Sequence, residues 1–157
     1  MRKYLLTFSI FVLIVILLLF FYFNIIDQKT FSCESKYNVT QYMNNNSLLS
    51  EGILSVELSG NDFLINFEGL LTSNNKNYII SRNIDLTLKK YNNSNYLYYI
   101  TEMKIILHEH DNTPENIAQQ SLFGSLNNDR IIYINKVNDD TILFGNQMLS
   151  QYGCKRK

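Results

Sequence analysis

An uncharged apolar run near the N-terminus places the strongest constraint on this chain. Residues 5–23 are almost entirely aliphatic or aromatic, and no charged residue occurs over residues 4–26. A helix needs about 20 apolar residues to cross a hydrocarbon core of about 30 Å, and in lipid a single segment satisfies its own backbone only as a helix. The run therefore predicts a transmembrane helix within residues 1–26 and a separate domain over residues 27–157.

The flanks of this run predict that it is retained and how it is oriented. The run is longer than the apolar region of a typical signal peptide, and no pair of small residues marks a cleavage site after it. Arg2 and Lys3 precede the run, and positive residues hold their end of a membrane helix in the cytoplasm. We therefore expect a single-pass anchor with residues 27–157 on the far side of the membrane.

The charge balance of the remaining chain excludes one class of ligand. The 157 residues include 14 basic and 14 acidic side chains, and without Arg2 and Lys3 the balance is 12 to 14. A nucleic-acid-binding domain shows a basic face, and none is apparent here. About 130 residues suffice for one domain with its own core, so we predict one domain and no direct contact with nucleic acid.

Cys33 and Cys154 are the two cysteines of the chain, and both follow the apolar run. An even number of cysteines in an oxidising compartment favours a disulfide, which here would bracket the domain. Two free thiols or an intermolecular bond remain the alternatives. Two cysteines so far apart in sequence lack the close spacing of a metal site, so we predict no metal-binding role for them.

Apolar and polar residues alternate through most of the domain, which is typical of strands in antiparallel sheets. Asn-rich and Gly-containing turns separate the alternating segments. Strands are predicted near residues 36–42, 54–58, 63–69, 78–88, 97–107, 130–137 and 142–144, with residues 27–36 as a polar tether. Thr113 and Pro114 predict the start of one short helix over residues 114–123. The fold class is α+β and mostly antiparallel β, with open sheet edges.

Arg82 lies on the apolar side of the clearest predicted strand. A buried guanidinium requires a partner because an unpaired buried charge is very costly. We predict a structural ion pair, with contact to a partner protein or an acidic ligand as the alternative.

His108 and His110 are the weak candidates for metal binding. On a strand, residues at i and i+2 share a face, so the two imidazoles could hold zinc or copper. The sequence marks no third ligand, so a solvated strand end is the better interpretation, and we predict no metal or other cofactor. The chain also lacks the short motifs of hydrolases, metalloproteases and phosphate-binding enzymes, which predicts a protein without catalytic activity.

The order of these features resembles that of a known family. An N-terminal anchor precedes Cys33, the strongest strand reads Tyr-Ile-Ile-Ser-Arg-Asn-Ile from Tyr78, Asp111-Asn112-Thr113-Pro114 opens a helix, and Cys154 closes the domain. This arrangement is similar to the FidL-like family of small enterobacterial inner-membrane proteins.

The resemblance implies a role in signalling. FidL-like proteins are typically encoded beside a membrane-anchored winged-helix regulator of the ToxR or CadC type, and are thought to act as co-components in the manner of ToxS or VtrC. In such pairs the periplasmic domains can complete one lipocalin-like barrel, which predicts a half-barrel here and an amphipathic ligand such as a bile salt. On this interpretation, the candidate contacts to the partner or ligand are Arg82, Ile84, Leu86, Tyr99 and Met103. The alternatives are a self-contained periplasmic ligand-binding module and an accessory protein in envelope or adhesin assembly.

Overall fold

The computed structural model describes residues 11–20, 30–43, 46–123, 130–147 and 150–156. The chain divides into two compact units, Met1–Thr30 and Phe31–Lys157, which are described separately. In the first unit, residues 11–20 form helix α1 with exposed side chains. The other residues of the predicted transmembrane helix lie outside the described residues. Over the part of the chain that the structure describes, no helix reaches the length and apolar content needed to span a bilayer.

The second unit is a closed antiparallel barrel in which the strands follow one another in sequence order. Each strand pairs with the next along the chain, and the last pairs with the first. The described elements of this unit are β1 Phe31–Met43, β2 Asn46–Ser59, β3 Asp62–Ser73, β4 Lys76–Lys90, β5 Leu97–Leu107, α2 Glu115–Phe123, β6 Ile131–Lys136, β7 Thr141–Asn146 and β8 Ser150–Lys155. The prediction of a mostly antiparallel β fold is confirmed.

Tight turns with left-handed backbone join the long strands. Asn74 and Asn75 connect β3 to β4 with φ angles of 50° and 62°, and Gly60 connects β2 to β3 with a φ of 58°. Two consecutive residues with positive φ match the right-handed twist of the flanking strands, and asparagine adopts this conformation more readily than most residues. The Asn-rich turns of the sequence therefore fix the register of the meander.

The first strand starts earlier than the sequence predicted. Phe31 and Cys33 are buried while Ser32 and Glu34 are exposed, so the alternation of β1 begins at its first residue. The prediction of a polar tether over residues 27–36 is therefore wrong from Phe31 onward, because apolar residues at every second position face the barrel interior.

The prediction of an open half-barrel is wrong. Residues 150–155 form β8, which pairs with β7 along its length and with β1 through Glu34 and Lys155. Cys154 and Tyr152 are buried in β8, and the alternating exposed residues keep its other face in water. The contact between β1 and β8 closes the barrel, but its ladder is much shorter than the one between β1 and β2.

A bulge in β5 changes which side chains of that strand are buried. The register to β4 shifts between Thr87 and Leu88, so that Ile100 opposes Leu88 and is buried. Alternation in the sequence predicts one inner row in this strand, formed by Leu97, Tyr99, Met103, Ile105 and Leu107. The bulge interrupts that row. Tyr99 lies opposite the exposed Lys89, on the outer face, so its assignment to the inner row is wrong.

Aromatic rings fill the middle of the barrel. Phe63, Phe144 and Tyr152 are in ring-to-ring contact, with centroids 5.3 Å and 5.4 Å apart. Phe67 and Tyr37 continue this contact toward β1, with centroids 5.6 Å apart. Such pairs contribute beyond the area that they bury, so the interior is a packed core.

Two glycines face each other across the ladder between β2 and β3. Gly52 opposes Gly69, and a methyl group at either position would meet the backbone of the other strand. At Gly52 the added atom would lie 2.7 Å from the Gly69 Cα and would overlap the carbonyl oxygen of Glu68. The two backbones can approach this closely because neither residue carries a side chain.

We expect Gly52→Ala to lower the free energy of unfolding by about 2–3 kcal/mol, since a rigid backbone must move to admit the methyl group. Gly153→Ala is the matched control, because its close contact, at 2.8 Å, is with the movable end of the Leu143 side chain, and the nearest backbone atom, the Ile142 oxygen, lies at an ordinary 3.7 Å. Urea unfolding of both variants checks this. Equal loss of stability in the two variants would show that the close approach of Gly52 and Gly69 is not under steric constraint.

Candidate functional site

A buried ion-pair cluster lies where β4 meets the start of α2. The Arg82 side chain is 1% exposed and forms a two-pronged contact with Asp111: Nη2 donates to Oδ1 and Nε donates to Oδ2, both at 2.7 Å. Nη1 donates to Glu115 Oε2 at 3.0 Å, and Nη2 also donates to the Thr113 carbonyl at 3.2 Å. The structural ion pair that the sequence predicted for Arg82 is therefore present.

The polypeptide between β5 and α2 builds this cluster by following β4 past the end of β5. The amide of His108 donates to the Ser81 carbonyl, and that of Asn112 donates to the Ile79 carbonyl. The Ile79 amide in turn donates to the Asn112 side-chain oxygen at 2.7 Å. Thr113 donates its hydroxyl to the same Ile79 carbonyl at 2.9 Å, which ties the start of the helix to β4.

The cluster sets the ionisation of its two buried members. Burial alone would raise the pKa of the Asp111 carboxyl, but Arg82 and the amides of Ser81 and Thr113 hold that pKa below its usual value. Burial likewise opposes the charge on Arg82, but Asp111 and Glu115 outweigh it and raise the pKa of the guanidinium. Both groups are therefore charged and mutually neutralised at physiological pH.

The remaining candidate contact residues divide between the core and one strand. Ile84 and Leu86 are 1% and 2% exposed in β4, next to Arg82 on the inner face. Met103 lies opposite Leu86 on β5 but is 49% exposed. The structure therefore does not bring the five predicted residues to one surface.

The second half of β5 is an open strand edge, which the sequence did not locate. Residues 102–107 pair with β4 on one side, whereas β6 pairs only with Leu97, Tyr98 and Tyr99 among the described residues. Because the His108 amide points to β4, alternation along the strand directs the backbone groups of Met103, Ile105 and Leu107 away from it. Among the residues described, none pairs with this side of the strand.

Apolar side chains accompany the open edge. Met103 and Leu107 lie opposite inward-facing residues of β4, yet they are 49% and 54% exposed. Ile106, on the other face, is 37% exposed. We call residues 102–107 the β5 edge. An edge that exposes both backbone groups and apolar side chains is suited to pairing with a strand from another protein.

The disulfide lies at the closure of the barrel. Cys33 and Cys154 are bonded, with Cα atoms 5.6 Å apart, and each is buried. The bond joins β1 to β8 beside the Glu34–Lys155 pair, where the Ser35 hydroxyl also donates to the Gly153 carbonyl at 2.7 Å. The disulfide predicted from the sequence is confirmed, and it reinforces the short ladder between these strands.

His108 and His110 are exposed at the end of β5. His108 Nε2 lies 3.3 Å from the Asn83 side-chain oxygen. No group of three potential metal ligands occurs among the residues that the structure describes. We therefore do not propose a metal site at the two histidines.

Buried hydroxyl groups inside the barrel were not found from the sequence. Tyr152 donates to the Ser121 carbonyl of α2 at 3.2 Å, and burial raises the pKa of its phenol. Burial also raises the pKa of Tyr37; the neighbouring Ser50 hydroxyl opposes this shift, although the two oxygens do not reach hydrogen-bond geometry. Only the alternation of β1 and β2 could have suggested that Tyr37 and Ser50 both face the interior.

The fold and its sites define a small disulfide-closed antiparallel barrel with a buried ion pair and one open strand edge. A family model described as "FidL-like putative membrane protein" matches residues 69–154, more than half of the chain. The chain belongs to the FidL-like family, and the matched span includes β4, β5 and α2 in full. No curated protein and no solved structure matches the chain.

Proposed function

We propose that this protein is a non-catalytic co-component of a membrane-anchored winged-helix transcriptional regulator. Its barrel binds the periplasmic domain of the regulator and stabilises it or tunes its signalling. The family to which the chain belongs supports this proposal, together with the partnership that the family resemblance implies. The absence of catalytic motifs from the sequence agrees with a binding role.

The proposed topology is a single-pass protein of the bacterial inner membrane with a cytoplasmic N-terminus. The uncharged run over residues 4–26, preceded by Arg2 and Lys3, supports this orientation. The disulfide between Cys33 and Cys154 agrees with it, because the periplasm is an oxidising compartment. An active periplasmic reporter fused after Lys157 is the expected result, and an inactive one would contradict this topology.

The β5 edge is the single observation that carries the partner-binding proposal. A strand from the regulator would pair with the outward backbone groups of Met103, Ile105 and Leu107 and cover the exposed apolar side chains. Main-chain hydrogen bonds supply affinity in this mode, and alternating side chains supply specificity. The matched family span includes this edge, as expected if the partnership belongs to the family.

The packed aromatic core leaves no free space for an amphipathic ligand in the middle of the barrel. Phe63, Phe67 and Phe144 are fully buried in the middle of the barrel, so a ligand there would have to displace core side chains. A site shared with the regulator would instead lie beside the β5 edge, against Met103 and Leu107. We therefore place a bile-salt-like ligand, where one binds, between the two proteins.

A self-contained ligand-binding module is the second candidate, and one observation favours it. The hydroxyl groups of Tyr37 and Ser50 are buried and have no hydrogen-bond partner among the described residues. A polar group of a small ligand could satisfy both. Ligand-dependent stabilisation of the purified protein that Tyr37→Phe abolishes, without any regulator, would support this candidate.

The experiment that tests the partnership uses a charge placed on the β5 edge. Full-length protein is co-expressed with a membrane-anchored winged-helix regulator of the proposed class, and the complex is purified through the regulator. We expect Met103→Asp to weaken binding at least tenfold, because the new carboxylate stays in water in the free protein but is desolvated under a partner strand. Ile53→Asp is the matched control, since Ile53 is 44% exposed on β2, away from the edge.

The outcomes separate the candidate surfaces. Loss of binding in Met103→Asp alone supports pairing at the β5 edge, whereas loss in Ile53→Asp alone moves the interface to the outer face of β2. Failure of the unmodified protein to bind the regulator, with normal regulator signalling in its absence, would contradict the co-component function.

A further inference from the structure

The β5 edge lacks two features that commonly keep exposed strands apart. Proteins often protect an open edge with a proline or with a charged side chain directed inward. The one proline of the chain, Pro114, lies outside the edge. Lys104 lies on the outer face, opposite Asp85, whose charge offsets its own. The edge residues opposite inward-facing positions of β4 are all apolar: Met103, Ile105 and Leu107. The edge is therefore suited to pairing with a second copy of itself.

The direction of the backbone groups limits how two copies of the edge can pair. The amide and carbonyl groups of Met103, Ile105 and Leu107 point away from β4, so these residues can form a ladder with another strand. Around a twofold axis, a strand faces its own copy in reverse, which makes the pair antiparallel. The axis then passes beside one of these three residues, because a hydrogen-bonded pair needs outward backbone groups on both strands.

One position of the axis uses the whole edge. With the axis at Ile105, that residue pairs with its own copy, and Met103 pairs with Leu107 of the second copy, each pair exchanging two main-chain hydrogen bonds. An axis at Met103 would direct the second strand into the start of β6, because the Ile100 amide already donates to the Arg130 carbonyl there at 2.7 Å. An axis at Leu107 would pair β5 with residues beyond its own end. The axis at Ile105 is therefore the one that the fold accommodates.

The side chains of the two edges complement each other in this register. On the inner side, the exposed apolar side chains of one copy meet those of the other and leave water. On the outer side, the exposed carboxylate of Glu102 lies opposite the imidazole of His108 of the second copy. Lys104 lies opposite the aliphatic side chain of Ile106. No like charges face each other directly, so the pairing carries no electrostatic penalty of that kind.

We propose that the free protein pairs with a second copy of itself through the β5 edge, about a twofold axis at Ile105, and that the regulator binds by replacing that copy. The self-pairing rests on the geometry of the edge alone, whereas the replacement rests on the proposed function. A ladder over residues 103–107 forms a small interface, and small interfaces are typical of weak, transient complexes. Self-pairing therefore shields the edge until a regulator takes the place of the second copy.

Single cysteines placed on the edge test the register directly. The axis at Ile105 sets Lys104 of one copy opposite Ile106 of the other, with Cα atoms about 4.5 Å apart, a distance that a disulfide spans. Full-length Lys104→Cys and Ile106→Cys proteins are purified separately in detergent, with the buried Cys33–Cys154 disulfide intact, then mixed and oxidised. We expect the mixture to form disulfide-linked dimers at least severalfold faster than either variant alone. Two copies of the same position are diagonal neighbours about 7–8 Å apart, beyond the reach of a disulfide.

An added charge separates pairing at the edge from random collision. Met103→Asp, introduced into both cysteine variants, is expected to slow the cross-linking at least severalfold, because the carboxylate would be desolvated against Leu107 of the second copy. Ile53→Asp is the matched control, since Ile53 is 44% exposed on β2, and it is expected to leave the rate unchanged. Urea unfolding confirms that each variant folds.

The outcomes distinguish self-pairing from replacement by the regulator. Equal rates for the mixture and the single variants would contradict the axis at Ile105, and a rate that Met103→Asp does not change would exclude pairing through the β5 edge. Added full-length regulator should slow the cross-linking; an unchanged rate with a regulator that binds in the pull-down would overturn the replacement. Because self-pairing is measured without the regulator, its failure leaves the co-component function standing, and a failed pull-down leaves the self-pairing standing.

Discussion

Arg82→Met is expected to lower the free energy of unfolding by about 3–5 kcal/mol, the usual cost of breaking a buried ion pair by removing one partner. The Asp111 side chain is 0% exposed and receives two hydrogen bonds from Arg82. Without the guanidinium, the carboxylate remains buried with only the amides of Ser81 and Thr113 as donors. Urea unfolding followed by circular dichroism measures this loss.

Asp139→Asn is the matched control for that measurement. It removes the acidic partner of Lys136, but Asp139 is fully exposed, so water replaces the contact. We expect its unfolding midpoint to match that of the unmodified protein. If Arg82→Met behaves like this control, Asp111 must reach solvent once Arg82 is gone, and the cluster does not stabilise the barrel as argued.

Acidification provides a second readout of the same pair. The folded-state pKa of Asp111 is depressed, so its contribution to stability is fully present above the unfolded pKa of about 3.9 and is lost as the pH falls through the lower folded value. We therefore expect the stability difference between the unmodified protein and Asp111→Asn to be constant near neutrality and to shrink below about pH 4. A difference independent of pH would mean that the carboxylate charge is not what stabilises the cluster.

The ion pair of Arg82 could be predicted from the sequence only in part. The alternation of β4 placed Arg82 among inward apolar residues, which was sufficient to predict a buried ion pair. Its partners could not be identified, because Asp111 and Glu115 follow Arg82 by 29 and 33 residues and meet it only through the route of the chain after β5. Contacts between distant segments depend on register, which local alternation does not determine.

The strands could likewise be predicted from the sequence only in part. Regular alternation and Asn-rich turns predicted the β2–β3–β4 meander, because one face is apolar and the turns are short. The bulge in β5 reverses the alternation of inward and outward side chains after Ile100. No single residue in that stretch predicts the bulge. The closure by β8 was missed because its short alternation resembles a polar tail. The sequence predicted open sheet edges without locating them, and the structure has one along β5.

The disulfide is the remaining feature whose loss we expect to have a large effect. The Cys33→Ala/Cys154→Ala variant is expected to unfold with a free energy lower by up to about 4–5 kcal/mol, because the bond closes a loop with a sequence separation of 121 residues and so restricts the unfolded chain. Urea unfolding compares the variant with the unmodified protein, each with and without reductant. The variant should be insensitive to reductant, and the reduced unmodified protein should match it.

The position of the bond predicts where the structure loosens first. The described backbone pairing between β1 and β8 consists of Glu34 with Lys155. Without the disulfide, this short ladder is supplemented by the Ser35–Gly153 hydrogen bond and the contact between the Tyr37 and Tyr152 rings. Hydrogen exchange of the variant should therefore speed up in β8 and at the start of β1 before it does in β3 and β4, whose ladders are long. Uniform acceleration across all strands would mean that the bond acts only on the unfolded chain, whereas acceleration confined to β1 and β8 assigns it the additional role of holding the barrel closed.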